Sequence, residues 1–269
     1  MSTLTITAIQ STLHWEDKQA NLAMFEEKIH AIKEKTEIVV LPEMFSTGFS
    51  MKAPLLAETM EGPTVAWMKR VAAEKKIILT GSLIIEEEGH YYNRLVWMLP
   101  NGQYGVYDKR HRFAYATEDE HYTAGAKRLI ASVKGWKINL VVCYDLRFPV
   151  WMRQQVHDAK DDGAPRPEYD VLICVANWPE RRNHAWKTLL QARAIENQCF
   201  VAGINRVGTD ANAIYYSGDS MIVDPLGEVL YTKAHGEDVF TITLQKDKLE
   251  DVRTKLPFWK DADFFTIMP

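Results

Sequence analysis

The feature that most constrains this chain is a recurrence of short apolar runs rich in β-branched residues, separated by segments of helical spacing. LTITAIQ (4–10), EIVVLP (37–42), IILTGSLI (77–84), INLVVC (138–143), DVLICVAN (170–177) and FVAGINRV (200–207) have the length and composition of strands. In 17–34, Leu22, Phe25, Ile29 and Ile32 recur at three- and four-residue spacing and mark one helical face. Gly62-Pro63 opens a second helix running to about Lys76, another follows Pro149, and 181–197 reads as a further one. Strands that are apolar on both faces need cover on each side. The alternation therefore predicts an α/β layered sandwich with helices outside the strands.

Turn signals complete the outline. YNRLVWMLP (92–100), a turn at Asn101-Gly102 and QYGVYDK (103–109) read as a hairpin, and a second hairpin spans about 217–234. DVFTITLQ (238–245) reads as a last strand before a C-terminal helix and tail. The polar, Gly- and Pro-rich segment 157–170 lies between a helix and a strand of the same pattern, so it reads as a surface loop. Each half runs strand–helix–strand–helix–strand and then hairpin, without a matching sequence repeat. The expectation is one domain over residues 1–269.

Several classes of function are disfavoured. The formal charge of -4 comes from 36 acidic and 32 basic residues spread along the chain, with no basic stripe for nucleic acid or a membrane surface. The N-terminus alternates apolar and polar residues like a strand, and no run reaches the roughly 18 apolar residues of a membrane span. Cys143, Cys174 and Cys199 are odd in number and sit against apolar runs, as reduced buried thiols do, which points to the cytoplasm. The eight histidines show no zinc-type spacing, and no phosphate loop or G-x-S-x-G elbow is present.

Three apolar strands end in reactive residues. VVLPEMFSTGFS (39–50) carries Glu43, VYDKRHRF (106–113) carries Lys109 and NLVVCYDLRFP (139–149) carries Cys143. In open α/β sheets functional groups lie beyond the carboxyl ends of strands. A thiol with an unperturbed pKa of about 8.5 needs a base, and a tetrahedral oxyanion needs positive charge or N–H donors aimed at it. Glu43 suits the base. Lys109 and the backbone N–H of Tyr144 suit the oxyanion. No metal or organic cofactor is required by that chemistry.

These blocks resemble the signature motifs of the nitrilase, or carbon–nitrogen hydrolase, superfamily. The resemblance lies in Leu41-Pro42-Glu43, in Tyr107-x-Lys109-x-His111 and in Cys143-Tyr144-Asp145-x-Arg147-Phe148-Pro149, and extends to Asn177-Trp178-Pro179 and QARAIENQ (191–198). It implies a Glu43–Lys109–Cys143 triad, a four-layer α-β-β-α sandwich and a homodimer. It also implies a second glutamate between the lysine and the cysteine. TEDEHYTAG (117–125) offers Glu118, favoured by its distance from Gly125, and Glu120 as the alternative. Tyr144, Arg147, Asn177 and Trp178 are the positions expected to meet substrate.

Within the superfamily the nearest resemblance is to ω-amidases, which remove the terminal amide of α-ketoglutaramate and α-ketosuccinamate. N-carbamoyl compounds, deaminated glutathione and short aliphatic amides are alternative substrates. A non-catalytic metabolite-binding scaffold would be signalled by a missing triad member, and none is missing. A monoamide of a dicarboxylic acid needs a cation or several donors at the pocket end away from the scissile bond. Arg147 is one candidate, with Arg181 and Arg182 as others. An ion pair of Arg147 with Asp145 is the structural alternative.

Overall fold

The computed structural model describes residues 2–157, 166–263 and 265–267. Its strands are β1 (Thr3–Gln10), β2 (Ile38–Val40), β3 (Ile78–Glu87), β4 (His90–Met98), β5 (Tyr104–Asp108), β6 (Leu129–Val133), β7 (Trp136–Val142), β8 (Val171–Ala176), β9 (Phe200–Asn205), β10 (Val207–Thr209), β11 (Tyr215–Val223), β12 (Val229–Ala234) and β13 (Asp238–Gln245). The longer helices are α1 (Lys18–His30), α2 (Pro63–Lys75), α3 (Asn183–Asn197) and α4 (Lys246–Lys255).

The strands form two mixed sheets. One has the order β13-β1-β2-β3-β4-β5, the other β10-β11-β9-β8-β7-β6 with β12 paired to β11. β1, β2 and β3 are parallel, as are β7, β8 and β9, and the flanking strands are antiparallel. The parallel strands are the apolar runs of the sequence. Ile38 and Val40 join the core between the sheets, with Leu140, Ile173 and Ala202, whereas Val39 packs with Phe25 and Ile29 of α1 and Met68 and Val71 of α2. On the second sheet Trp186, Leu190 and Ala194 of α3 are buried. Helices thus lie outside both sheets, giving the four-layer α-β-β-α sandwich.

The structure departs from the sequence outline in three places. β3 and β4 are a hairpin through Glu88 and Gly89, and β6 and β7 another through Lys134 and Gly135. All four turn residues have φ between 49° and 80°, the geometry of tight two-residue turns. The first was hidden because its tip lies past the core, where Glu87 and His90 are exposed and polar. The second was hidden because β6 is a short edge strand that buries one residue, Ala131, before a turn followed directly by the buried Trp136. The helix after Pro149 is a single turn, Pro149–Met152, since Arg153 returns to extended backbone. The ends of the expected 157–170 loop are joined by pairing of Val156–His157 with Arg166–Pro167; residues 158–165 lie outside the described residues. Among the described residues no helix is long and apolar enough to cross a membrane.

Candidate active site

The neighbouring strand ends bring four segments together. Glu43 follows β2, Lys109 follows β5, Cys143 follows β7 and Asn177 follows β8. The turn after β2 is held by Ser82 of β3, whose Oγ accepts from the Met44 N–H at 2.9 Å and whose carbonyl accepts from the Phe45 N–H at 3.0 Å. The loop after β5 is held by Gly125, whose N–H donates to the Lys109 carbonyl at 3.0 Å. A Cβ there would sit 2.0 Å from the Asp108 carbonyl oxygen, so glycine is required by close backbone approach.

Lys109 lies between two buried carboxylates. Its Nζ donates to Glu43 Oε1 at 2.9 Å, and to Glu118 Oε1 and Oε2 at 2.9 and 2.8 Å. Glu118 also accepts from the Phe113 N–H at 2.5 Å and is fully buried; Glu120 is exposed. The second glutamate against the lysine is therefore Glu118. Burial, the largest influence, pulls the Lys109 ammonium down, but Glu118, Glu43 and Cys143 outweigh it and hold it well above its ordinary value. The Glu118 carboxyl is raised, first by burial and then by Glu43, with Lys109 opposing.

Glu43 is held on every side. Oε1 also accepts from Asn93 Nδ2 at 2.8 Å, Oε2 accepts from the Asn177 N–H at 2.8 Å, and the Glu43 carbonyl accepts from Asn177 Nδ2 at 2.6 Å. Asn177, expected to meet substrate, thus also anchors Glu43. Asn93 was not singled out in the sequence. Its signal was a polar residue placed where β4 turns inward, ahead of the apolar run Leu95–Met98.

Cys143 has φ of +46°, a left-handed conformation that a non-glycine residue adopts only when its surroundings impose it. A one-turn 3₁₀ segment, Cys143–Arg147, follows. Asp145 fixes that turn. Its Oδ2 accepts from the Val142 N–H at 3.0 Å and the Tyr107 hydroxyl at 2.7 Å, and its Oδ1 from the His111 N–H at 2.9 Å and lies 2.8 Å from His111 Nδ1. One buried carboxylate therefore joins the cysteine turn to the lysine loop. The Cys143 thiol lies 3.9 Å from the Asn177 carbonyl oxygen. Burial, then Glu43, push it well above the ordinary thiol value, with Lys109 opposing. At neutral pH the resting sulfur is a thiol, and a base must take its proton when it attacks.

A cavity of about 160 Å³ opens above Cys143. Lys109, Tyr144, Asn177 and Trp178 line it, with aromatic walls from Phe49, Phe113 and Tyr216. Arg147, Arg181 and Arg182 all face it, and among the described residues no carboxylate lines it. The pair between Arg147 and Asp145 is not formed, because Asp145 is committed to Tyr107, Val142 and His111; the Arg147 guanidinium lies 4.9 Å over the Trp178 ring instead. Arg182 stacks 5.1 Å over Phe113. Burial, then the like charges of Arg181 and Arg147, hold its guanidinium below the ordinary value.

The carbon-nitrogen hydrolase family model matches residues 5–254. The omega-amidase YafV of Escherichia coli K12 is 41% identical to this chain, over 99% of it and 100% of its own length. The 2-oxoglutaramate amidase of Bacillus subtilis 168 is 31% identical, over 96% of each. A CN-hydrolase superfamily protein from Xanthomonas campestris, whose crystal structure carries an arsenic adduct in the active site, is 42% identical. It superposes with a TM-score of 0.96 over 100% of both chains. The strand ends, the buried Glu43–Lys109–Glu118 cluster and the family match converge, and the chain belongs to the carbon–nitrogen hydrolase family.

Proposed function

We propose that this protein is an ω-amidase with a single hydrolase domain, releasing ammonia from the terminal amide of small dicarboxylic acid monoamides such as α-ketoglutaramate. The observation that carries this reading is the cation-lined cavity above a buried thiol, which among the described residues is lined by three arginines and no carboxylate. A substrate carboxylate neutralises that cluster, and a guanidinium binds it through two parallel hydrogen bonds. The similarity to proteins named as an omega-amidase and a 2-oxoglutaramate amidase supports the same substrate class.

The chemistry proceeds by acyl transfer. Glu43 takes the thiol proton as Cys143 attacks the amide carbon. The Lys109 ammonium and the Tyr144 N–H stabilise the oxyanion of the tetrahedral intermediate. Protonated Glu43 passes its proton to the departing nitrogen, leaving a thioester on Cys143 and free ammonia. Glu43 then removes a proton from water, which adds to the thioester carbonyl. Collapse gives the acid and returns the proton to sulfur. Glu118 holds Lys109 and touches no reacting atom.

The test compares ammonia release from α-ketoglutaramate or succinamate with that from butyramide at equal concentration. With Arg147 and Arg182 half-buried and Arg181 exposed at the cavity, an acidic amide is favoured over its neutral analogue, which leaves those guanidiniums without a carboxylate. Equal turnover of acidic and neutral amides would overturn the ω-amidase reading and leave a general aliphatic amidase. The same reading places the protein in the cytoplasm as a homodimer, with three free buried cysteines in keeping with a reducing compartment.

A further inference from the structure

We propose that Asn93 of β4 is a positioning residue of the reaction, whose carboxamide locks Glu43 Oε1 and so leaves Oε2 as the oxygen that serves the thiol. The inference rests on the reading of Glu43 as the base. Asn93 Nδ2 donates to Glu43 Oε1 at 2.8 Å and to Glu118 Oε1 at 3.1 Å. Lys109 Nζ donates to the same two oxygens, each at 2.9 Å. Two carboxylate oxygens of like charge are thus bridged on one side by an ammonium and on the other by an amide. Among the described residues Glu43 Oε1 receives two donors, while Oε2 receives one, the Asn177 N–H, and keeps acceptor capacity.

The orientation of the amide is set by charge. Turned over, it would aim Oδ1 at two carboxylate oxygens. In the orientation observed, Oδ1 is buried with no hydrogen-bond partner among the described residues. A buried polar atom left unpaired requires an explanation, and here the double donation to Glu43 and Glu118 supplies it. The residue is 1% exposed, and its carbonyl accepts the Lys109 N–H at 3.0 Å, so one residue registers the lysine loop and both glutamates. Asn93 touches no substrate; it acts through Glu43.

The consequence is a dependence on pH. Among the described residues the charge of Glu43 acts on Lys109, Glu118, Cys143, Cys174, Tyr122 and Tyr216, and Lys109 is the cation of that set. A donor to an ionised carboxylate favours the ionised form. Without Asn93 Nδ2 the carboxylate pair is held by one ammonium, protonation becomes easier, and the base titrates at higher pH.

The experiment measures kcat and KM against pH for Asn93→Ala, Asn93→Ser and Asn93→Asp beside the wild type and Glu43→Gln. Expected for Asn93→Ala is a kcat lower by about 10²-fold, the scale for misplacing a reacting group, with KM little changed and the acid limb of kcat/KM moved to higher pH. Asn93→Ser keeps a hydroxyl donor and recovers part of the rate; Asn93→Asp adds a third carboxylate and is the most damaged. An acid limb coincident with the wild type, or a raised KM with kcat intact, overturns the proposal. If the alanine variant does not fold, the acid limb of Asn93→Ser decides in the same way. Glu43→Gln separates the two readings. Activity in that variant would remove Glu43 as the base, whereas an inactive Glu43→Gln beside an unshifted Asn93→Ala would remove only the role given to Asn93.

Discussion

Each side chain in the cluster has an effect that can be measured separately. Cys143→Ser and Cys143→Ala are expected to abolish turnover without unfolding the protein. Cys174→Ala and Cys199→Ala keep most activity, because both thiols are fully buried away from the cavity lining. Burial raises all three thiols. Only Cys143 lines the cavity, so iodoacetamide should label it first, at a rate still climbing at about pH 9, near the ordinary thiol value. Intact-mass measurement of labelling against pH checks this, and a plateau reached by neutral pH would mean a preformed thiolate. Glu118→Gln should lower kcat by about 10²–10³-fold, the scale for losing one positioned electrostatic group. Glu120→Gln, at an exposed position, should leave kcat within about twofold. Lys109→Arg should fail as well, since a planar fork does not fit between two carboxylates arranged around a compact ammonium.

At the scale of elements, the turns that carry these groups are set by close packing and by polar ties that leave little slack. Gly125→Ala forces a Cβ onto the Asp108 carbonyl beside Lys109. Overpacking of this kind costs about 1–3 kcal/mol, a fall in Tm of roughly 2–12 °C for a chain of this size. Turnover should fall more than stability, because Asp108 precedes the lysine. Calorimetry and a steady-state assay on one preparation decide, and wild-type Tm with wild-type turnover would contradict the close approach. Asp145→Asn keeps the shape of the tie between the cysteine turn and the lysine loop. It removes one acceptor oxygen from four donor contacts around Tyr107, Val142 and His111, so a buried donor is left unpaired at a cost of about 1–3 kcal/mol.

For the whole molecule, the two sheets share one continuous core, and the site stands where β2, β5, β7 and β8 end. We propose a homodimer, with the exposed apolar Ile195 of α3 and the nearby Leu226 offered as part of its contact. Sedimentation velocity should return twice the mass of the chain, and Ile195→Asp should lower it. A monomer at micromolar concentration would rule the dimer out.

Local pattern determined much of this protein. Runs such as LVVC and VLICVA are apolar at consecutive positions, and a strand covered on both faces buries them, so the layered α/β class followed from residues alone. Each of Glu43, Lys109 and Cys143 follows a predicted strand, and their motifs were legible because the three blocks resemble those of the carbon–nitrogen hydrolases in identity and order. Other features depended on strand order and register, which periodicity does not encode. The Glu88-Gly89 tip extends past the core between exposed Glu87 and His90, and the short edge strand before Lys134-Gly135 buries one residue, Ala131, so neither hairpin presents an apolar alternation to read. Glu118 and Glu120 sit two residues apart on the one-turn helix Glu118–His121, and only the fold turns the first toward Lys109. Asn93 lies 50 residues from Glu43 and 25 from Glu118 in sequence, and meets both because β4 runs beside β3 and β5 in the same sheet. Arg147, Arg181 and Arg182 become one cation cluster by the same means. Spacing along the chain sets which face of an element is buried. Which elements become neighbours, and so which distant charges must be balanced against each other, is decided by the packing of the two sheets.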